Sequence, residues 1–342
     1  MYVTSLQKYS ESDWLAAVEA LAGEIHPVDR EATQIWFRFY PLELTRFLAS
    51  AENPEEAARS IALAGNFGLE DKIDSSHRFL YGHRYWPQVK AAIDARIDAG
   101  SEGSSIDSEI RAIAKASAAS AKAKEELTLG ISAAGLMTLV QVGADAFRSA
   151  AGVASKPDGI MSKSPDAIVA ERAKDDSQGI FGFLKTVDKE FSVIRDEYTN
   201  GRFRIINDEE IASASQKDHS RDWQSLDERC WDGPVPIECT SASCGTCWVG
   251  VLGGAEKLTP PSNRERTRMK VFGYNQPESD APFIRLACQA KTEGNVTIVI
   301  PPWNAVFGKR VRGNVEETEL EPVTTSAKRL RSVVKEAIES GK

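Results

Sequence analysis

The chain has 342 residues, of which 42% are hydrophobic and 27% are charged, values ordinary for a globular protein large enough for two or three domains. Its net charge of -8 argues against a general nucleic-acid binder, because neutralising phosphates requires concentrated Lys and Arg. The opening residues, Met1–Lys8, lack the charged-then-apolar layout of a secretory signal, so we expect a reducing, cytoplasmic compartment.

Residues 1–100 are predicted to form a helical domain. Apolar residues at helical spacing follow Ser10 and indicate one amphipathic helix. Asp29 is predicted to cap a second helix, which Pro41 ends because proline lacks the donor that a helix interior requires.

Two further helices are predicted in the same domain. Asn53 is a capping residue and Pro54 suits a first helical turn, and Gly65 is predicted to stop this helix. A last helix is predicted from Pro87 to Gly100.

Residues 73–86 combine aromatic side chains with two histidines and two arginines. They could form a partner or ligand surface, since such residues dominate binding hot spots. His77 and His83 could also bind a metal, although only Asp74 joins them as a further ligand type. We favour a third interpretation, in which the aromatic residues form the core and the charges its rim.

Residues 101–189 are predicted to be a helical segment followed by a linker. A flexible break at 100–105 precedes an alanine-rich helix at 106–124. Residues 127–144 carry no charge, but their small and polar residues favour a helix packed on another helix or a second subunit over a membrane span. The composition of 155–177 is that of a linker between domains.

A β-rich domain is predicted at 190–305. It begins with a hairpin of strands 191–195 and 202–206, because Asn200-Gly201 is a strong turn signal. A short helix and two further strands are predicted at 223–230, 248–252 and 296–300.

Four cysteines of this domain have the spacing of an iron-sulfur ligand set. Cys239, Cys244 and Cys247 follow the pattern C-x4-C-x2-C, and Cys288 stands far downstream. The residues between the first three are small, which leaves room for a cluster and lets backbone N–H groups reach it. Four thiolates also suit a structural zinc ion, but zinc sites usually offer two short Cys pairs instead of three ligands in one loop. Disulfides are not expected in a reducing compartment.

Residues 191–303 resemble the 2Fe-2S ferredoxin-type domains, on the phrases Cys244-Gly-Thr-Cys247 and Arg285-Leu-Ala-Cys-Gln289. The C-x4-C start is the plant-type form, whereas the long interval before Cys288 is closer to the adrenodoxin-like branch. The resemblance implies a β-grasp fold, a 2Fe-2S cofactor on the four cysteines and one-electron exchange with a redox protein, a reductase or an oxidoreductase. The fold class expected for the whole chain is therefore α+β.

The fifth thiol, Cys230, is expected to be a buried structural cysteine that does not bind iron. Four cations lie in the interval before Cys288, namely Arg264, Arg266, Arg268 and Lys270. They could steer the protein toward an acidic docking face on its partner, or they could form an ordinary solvated helix face.

Residues 306–342 are predicted to be a charged tail. Apolar residues line one face of 326–340, which describes an amphipathic helix that could dock on protein or on an anionic membrane. The sequence does not indicate an oligomeric state.

Motifs for nucleotide binding, hydrolysis and zinc proteolysis are missing from the sequence. We therefore expect an electron carrier with a helical docking extension, not an enzyme. The alternative is an iron-sulfur relay or scaffold subunit of a multi-subunit oxidoreductase.

Overall fold

The computed structural model describes residues 1–100, 104–174, 176, 189–274, 276, 278–313, 333–334 and 337–338. Helices combine there with a mixed five-stranded sheet, which confirms the α+β class. Most of the tail and its predicted amphipathic helix at 326–340 lie outside the described residues, as does part of the predicted break at 100–105.

The helices of the described residues are α1 (Tyr2–Leu6), α2 (Glu11–Leu21), α3 (Pro27–Phe39), α4 (Leu42–Ser50), α5 (Pro54–Ser60), α6 (Trp86–Ala99), α7 (Ile106–Ala121), α8 (Leu129–Ser149), α9 (Pro165–Arg172), α10 (Ile211–Ser215), α11 (Trp223–Leu226) and α12 (Asn263–Phe272). The strands are β1 (Ala64–Gly65), β2 (Glu190–Asp196), β3 (Gly201–Ile206), β4 (Glu209–Glu210), β5 (Trp248–Gly253), β6 (Ile284–Leu286), β7 (Lys291–Thr292), β8 (Val296–Val299) and β9 (Trp303–Asn304).

The chain divides into two compact units that interleave in sequence. The first comprises Met1–Ser50, Phe67–Ala173 and Asp196–Gly201, and the second comprises Ala51–Asn66, Lys174–Arg195 and Arg202–Lys342. The helix α5 and the strand β1 thus belong with the β-rich part of the chain, since β1 pairs with β9. The segments predicted from sequence, 1–100, 101–189, 190–305 and 306–342, run consecutively and do not describe this interleaving.

Helix α3 begins earlier than predicted. His26 caps it, its ring Nδ1 accepting from the N–H of Val28 at 3.1 Å, and Pro27 occupies the first turn. The prediction that Asp29 is the cap was wrong. Its buried carboxylate instead accepts the N–H groups of Tyr81 and Gly82, at 2.5 and 2.7 Å. Because a carboxylate can accept from two N–H groups that are distant in the sequence, Asp29 makes these tertiary contacts instead of capping α3.

Helix α5 begins as predicted, since the Asn53 side chain accepts from the N–H of Glu56 at 3.2 Å. It ends at Ser60, and Gly65 lies in β1 instead of stopping the helix. Helix α6 ends at Gly100 in the left-handed conformation, as predicted.

Helix α8 contains the uncharged segment 127–144 and packs against α3, α6 and α7. A Cβ at Gly135 would come within 2.8 Å of Trp86, so this glycine lets α6 and α8 approach closely. Helical geometry is interrupted at Gly143, which has φ +81°. By length and composition alone, α8 could span a membrane, and 67% of its apolar window is buried inside the protein.

The predicted linker 155–177 is partly helical. It contains α9 and a 3-10 turn at Gly159–Ser162. Met161 and Ile168 are buried in an apolar cluster with Val28 and Tyr198. Burial of these two side chains explains why a segment of polar composition is ordered.

The five-stranded sheet has the order β3-β2-β8-β5-β6. Strands β2 and β8 are parallel, while β5 is antiparallel to both β8 and β6. The predicted hairpin is present, and Asn200 adopts φ +53° in its turn. The predicted helix at 223–230 is shorter and ends at Leu226.

Candidate metal centre

The pairing of β5 with β6 brings the distant Cys288 to the cysteine loop. Cys247 immediately precedes β5, and Trp248 lies opposite Leu286 in the antiparallel register. Beyond that pair, the Ala287 N–H donates to the Cys247 carbonyl at 2.9 Å. The sheet register therefore places the third and fourth cysteines side by side.

The four thiols affect one another's pKa in two pairs. In the first, the hydrogen bond from Cys244 lowers the pKa of Cys239 to about 5, and the same bond raises the pKa of Cys244. In the second, the hydrogen bond from Cys247 lowers the pKa of Cys288 and raises that of Cys247.

The two pairs lie next to each other. Cys239 interacts electrostatically with Cys288 across the pairs, and so does Cys244 with Cys247. Three of the sulfurs belong to buried residues, and Cys244 is partly exposed. Within the described residues, no three His, Cys, Asp or Glu side chains are grouped around the position of a single metal ion.

Two adjacent thiol pairs fit a dinuclear cluster. In a 2Fe-2S cluster each iron takes two protein ligands, so Cys239 with Cys244 and Cys247 with Cys288 match the two irons. A structural zinc ion needs four ligands at equal reach of one point. Four thiols with this spacing fit the two-iron group, and four thiolates also suit a zinc ion.

Backbone donors point at the sulfurs. The Ser243 N–H donates to Cys239 Sγ at 3.3 Å, and the N–H groups of Ser241 and Cys244 also help to lower the pKa of Cys239. Ala242 has φ +57°, and its N–H helps to lower the pKa of Cys288. Consecutive N–H groups in such a left-handed turn form a concave anion site. This loop can stabilise the charge of thiolates and sulfide.

Gly245 fits only as glycine. It has φ +72°, and a Cβ would lie 2.9 Å from the Phe272 ring. Its carbonyl accepts the Tyr274 hydroxyl at 3.3 Å, and the Tyr274 ring stacks on Trp248 at 4.4 Å between centroids. Burial, followed by the charges of Cys247 and Cys244, raises the pKa of Tyr274. These rings exclude water from one side of the loop.

Helix α12 braces the loop from its first turn. Arg264 Nε donates to the Ser241 carbonyl at 2.9 Å, and the Glu265 carboxylate binds Arg285. Sequence reasoning considered Glu265 only as a charge-pairing residue on a solvated helix face, and it missed Phe272 and Tyr274. A signal existed for Glu265, because Ser262 three residues earlier forms the expected capping pattern and accepts the Glu265 N–H at 3.1 Å.

Cys230 is buried and stands apart from the four thiols in its interactions. Its Sγ donates to the Pro234 carbonyl at 3.4 Å. Burial, followed by the nearby Asp227, raises its pKa to about 12. Its bond to Pro234, and not its pKa, separates it from the four thiols, in agreement with the structural role expected for it.

The two histidines considered as metal ligands contact each other instead. Their Nδ1 atoms are 3.0 Å apart, His77 Nε2 lies 3.1 Å from the Ile73 carbonyl, and His83 Nε2 accepts the Ser155 N–H at 2.9 Å. When both rings are neutral, this series of hydrogen bonds involves all four ring nitrogens.

Asp74, the third candidate ligand, accepts Trp86 Nε1–H at 2.7 Å and the Gly152 N–H at 3.0 Å. Leu80 and Trp86 are fully buried, which confirms the core interpretation for these two residues.

A groove along β3, lined by Arg202, Phe203 and Arg204 among others, contains none of the four cysteines.

No family model, curated protein or solved structure matches the chain. The function is therefore inferred from the chemistry of the site.

Proposed function

We propose that this protein transfers single electrons through one 2Fe-2S cluster held by Cys239, Cys244, Cys247 and Cys288. The observation that carries the proposal is the pairing of β5 with β6, which brings Cys288 beside Cys247 at the end of the loop that contains Cys239 and Cys244. When bound, such a cluster supplies reversible one-electron exchange. Cys239 and Cys244 would hold one iron, and Cys247 and Cys288 the other.

The surrounding residues would tune that exchange. N–H groups of the loop donate to the sulfurs of Cys239 and Cys288 and favour the more negative state. Phe272, Tyr274 and Trp248 lower the local dielectric on one side of the loop. The partly exposed Cys244 leaves one edge at which a redox partner can approach.

The finer fold assignment is part of the same proposal. A hairpin, a parallel β2–β8 pair and a cysteine loop between α11 and β5 agree with a β-grasp domain of ferredoxin type at 190–305. This agreement supports the fold expected from the resemblance, and the cytoplasmic location stays a prediction.

Anaerobic purification of the full chain tests the cluster. We expect a red-brown protein with equal amounts of iron and acid-labile sulfide and, after reduction, a rhombic EPR signal. A colourless protein with stoichiometric zinc would refute the proposal. Reconstitution with iron and sulfide separates poor loading during expression from an inability to bind the cluster.

A relay or scaffold subunit is the second candidate. The first compact unit favours this candidate, because it has its own buried core around Trp14, Trp36 and Trp86. A small carrier domain does not require a second unit of this size. Purification at native expression level separates the two. A carrier should elute alone, whereas a subunit should co-elute in fixed stoichiometry with other chains.

A further inference from the structure

Strand β3 lies at one edge of the five-stranded sheet. It pairs with β2 on one side, and in the part of the chain that the structure describes no strand pairs with its other side. Along a strand the backbone N–H and C=O groups point alternately to the two sides. The residues of β3 that face outward therefore carry backbone groups that a further strand can reach.

Two hydrogen bonds identify the outward-facing residues. The Asn207 N–H donates to the Lys189 carbonyl at 2.9 Å, on the side of β2. The Ile206 N–H donates instead to the Glu209 carboxylate at 3.0 Å. Because the direction alternates, the N–H and C=O groups of residues 202 and 204 also point away from β2.

The outer edge of β3 is open at these two residues. Among the described residues, no backbone or side-chain group bonds to the outward N–H and C=O groups of Arg202 and Arg204. These groups can form up to four hydrogen bonds with a second strand. Glu209, which bonds to Ile206 and pairs with Lys217, closes the edge beyond Arg204. The open part thus suits a segment of only a few residues.

A groove of about 570 Å³ runs along the same edge. Its volume lies within the range of ligand-binding clefts, about 300–1,000 Å³. The groove is lined by residues of β3 and by residues of α10 and the segments beside it, namely Arg202, Phe203, Arg204, Ile206, Glu209, Ala214, Lys217 and Asp218. An open strand edge beside a groove is the arrangement of sites that bind an extended peptide as an additional strand.

The side chains of β3 favour an acidic peptide over a second copy of this chain. Arg202 and Arg204 are exposed on one face of the strand, whereas Phe203 and Ile205 are buried on the other. Arg204 pairs with Glu190 of β2, and Arg202 has no acidic partner among the described residues. A second copy of β3 would place arginines opposite arginines, which is destabilising, whereas acidic side chains there would form favourable cross-strand pairs.

We propose that the outer edge of β3 binds an extended acidic segment of a partner protein as an additional strand. The backbone of that segment bonds to the outward groups of Arg202 and Arg204, and one of its carboxylates faces the Arg202 guanidinium. Its apolar side chains alternate with the acidic ones and pack against Phe203 and Ala214. This binding requires no cluster, so the inference does not rest on the proposed electron transfer.

A labelled peptide tests the site without knowledge of the partner. The probe is the heptapeptide Thr-Val-Glu-Val-Glu-Val-Thr with blocked ends and a fluorescein label, and fluorescence anisotropy measures its binding to the full chain. We expect saturable binding, and weaker binding of the same peptide with Lys in place of Glu. Absence of binding, or equal binding of the two peptides, would overturn the proposal.

Backbone methylation of the probe distinguishes an added strand from contact by charge alone. Only alternate N–H groups of an added strand face β3. Of two probes that are N-methylated on the two alternate sets of residues, one should therefore lose binding and the other should keep it. Equal binding of both probes would show that the backbone of the peptide is not paired with β3.

A pair of variants tests the backbone of β3 itself. Arg204→Ala removes the side chain, and Arg204→Pro removes the outward N–H as well. Proline is tolerated on an edge strand where its nitrogen faces outward. Arg204→Pro should bind the probe about fivefold more weakly than Arg204→Ala, because one more hydrogen bond is lost. Equal affinities of the two folded variants would contradict the proposal, and the methylated probes provide the same test on the unaltered chain if Arg204→Pro does not fold.

Two other occupants of the edge would give different results. If a chain that ends at Gly313 binds the probe and the full chain does not, a later segment of this chain occupies the edge. If analytical ultracentrifugation shows a dimer that the probe dissociates, a second copy occupies it. Either result would overturn the assignment of this edge to a partner protein.

Discussion

Arg285 donates two hydrogen bonds to the Glu265 carboxylate, from Nε at 2.9 Å and from Nη2 at 3.0 Å, and neither side chain is more than 3% exposed. Glu265 also accepts the Leu286 N–H at 3.0 Å, and Arg285 Nη1 donates to the Thr259 carbonyl at 2.8 Å. This buried pair joins α12 to the strand that leads into Cys288. Helix α12 and the segment that contains the fourth cysteine are thus mechanically connected.

Removing one charge of this pair should destabilise the second unit. For Glu265→Gln we expect a loss of about 3–5 kcal/mol in unfolding free energy, because the Arg285 charge stays buried without its partner. Urea unfolding followed by tryptophan fluorescence measures it, and loss of iron from the protein should accelerate. Glu278→Gln is the control, since the Glu278–Lys270 pair is exposed and its loss should change little. Equal effects of both substitutions would contradict a special role for the buried pair.

Serine substitution separates ligand cysteines from the structural one. Cys247→Ser should remove most of the visible absorption and reduce the iron content, because a serine hydroxyl is a poor substitute for a thiolate on iron. Cys230→Ser should keep both, since Cys230 bonds to the Pro234 carbonyl and not to the other thiols. Iron analysis and absorption spectra of both variants measure these effects. Equal bleaching by Cys230→Ser would show that the ligand assignment is wrong.

Gly245→Ala should damage the cysteine loop. The left-handed conformation alone costs an alanine about 1–2 kcal/mol, and the added Cβ would collide with Phe272. We expect lower stability and reduced cluster retention, read by urea unfolding and iron content. Gly23→Ala is the control, because no atom lies within 4 Å of the Cβ position there. A Gly245→Ala protein that behaves like Gly23→Ala would argue against the tight contact with Phe272.

The His77–His83 pair should make stability depend on pH. Burial, and then the neighbouring Arg78, lowers the pKa of His83 to about 4, and burial followed by His83 lowers the pKa of His77. Between pH 6.5 and 4 the unfolded chain therefore binds more protons than the folded chain, so stability falls as pH falls. For His83 alone, the full loss in unfolding free energy is about 3 kcal/mol. The charge of Asp74 raises the pKa of His83 and thereby keeps this loss from being larger.

Variants isolate this effect from other titrations. Burial raises the pKa of Asp29 to about 6, and this group acts in the opposite direction in the same pH window. The measurement is therefore the difference in unfolding midpoint between the parent chain and His83→Gln from pH 7 to pH 4, where the variant should show a weaker dependence. His219→Gln, at an exposed position, should keep the parent's dependence. An unchanged slope in His83→Gln would contradict a buried neutral pair.

Three predictions that depend on neighbouring residues agree with the structure, whereas the helix stop predicted at Gly65 does not. The Asn200–Gly201 turn, the Asn53 cap and the left-handed Gly100 are each determined by backbone preferences within a few positions. Predictions about which side chains meet at long range were weaker. Asp29 was assigned a local role that its contacts with Tyr81 and Gly82 replaced. Arg268 was counted with the exposed cations but is buried.

The sequence alone determined the set of four thiols, their crowding in one loop of small residues and the helix and strand periodicities around them, because these are properties of nearby positions. Only the tertiary structure decided that Cys247 pairs with Cys288, that Glu265 meets Arg285 and that His83 meets Ser155. Such pairings join positions far apart in the chain. They follow from strand register and the packing of whole elements, which no local pattern specifies.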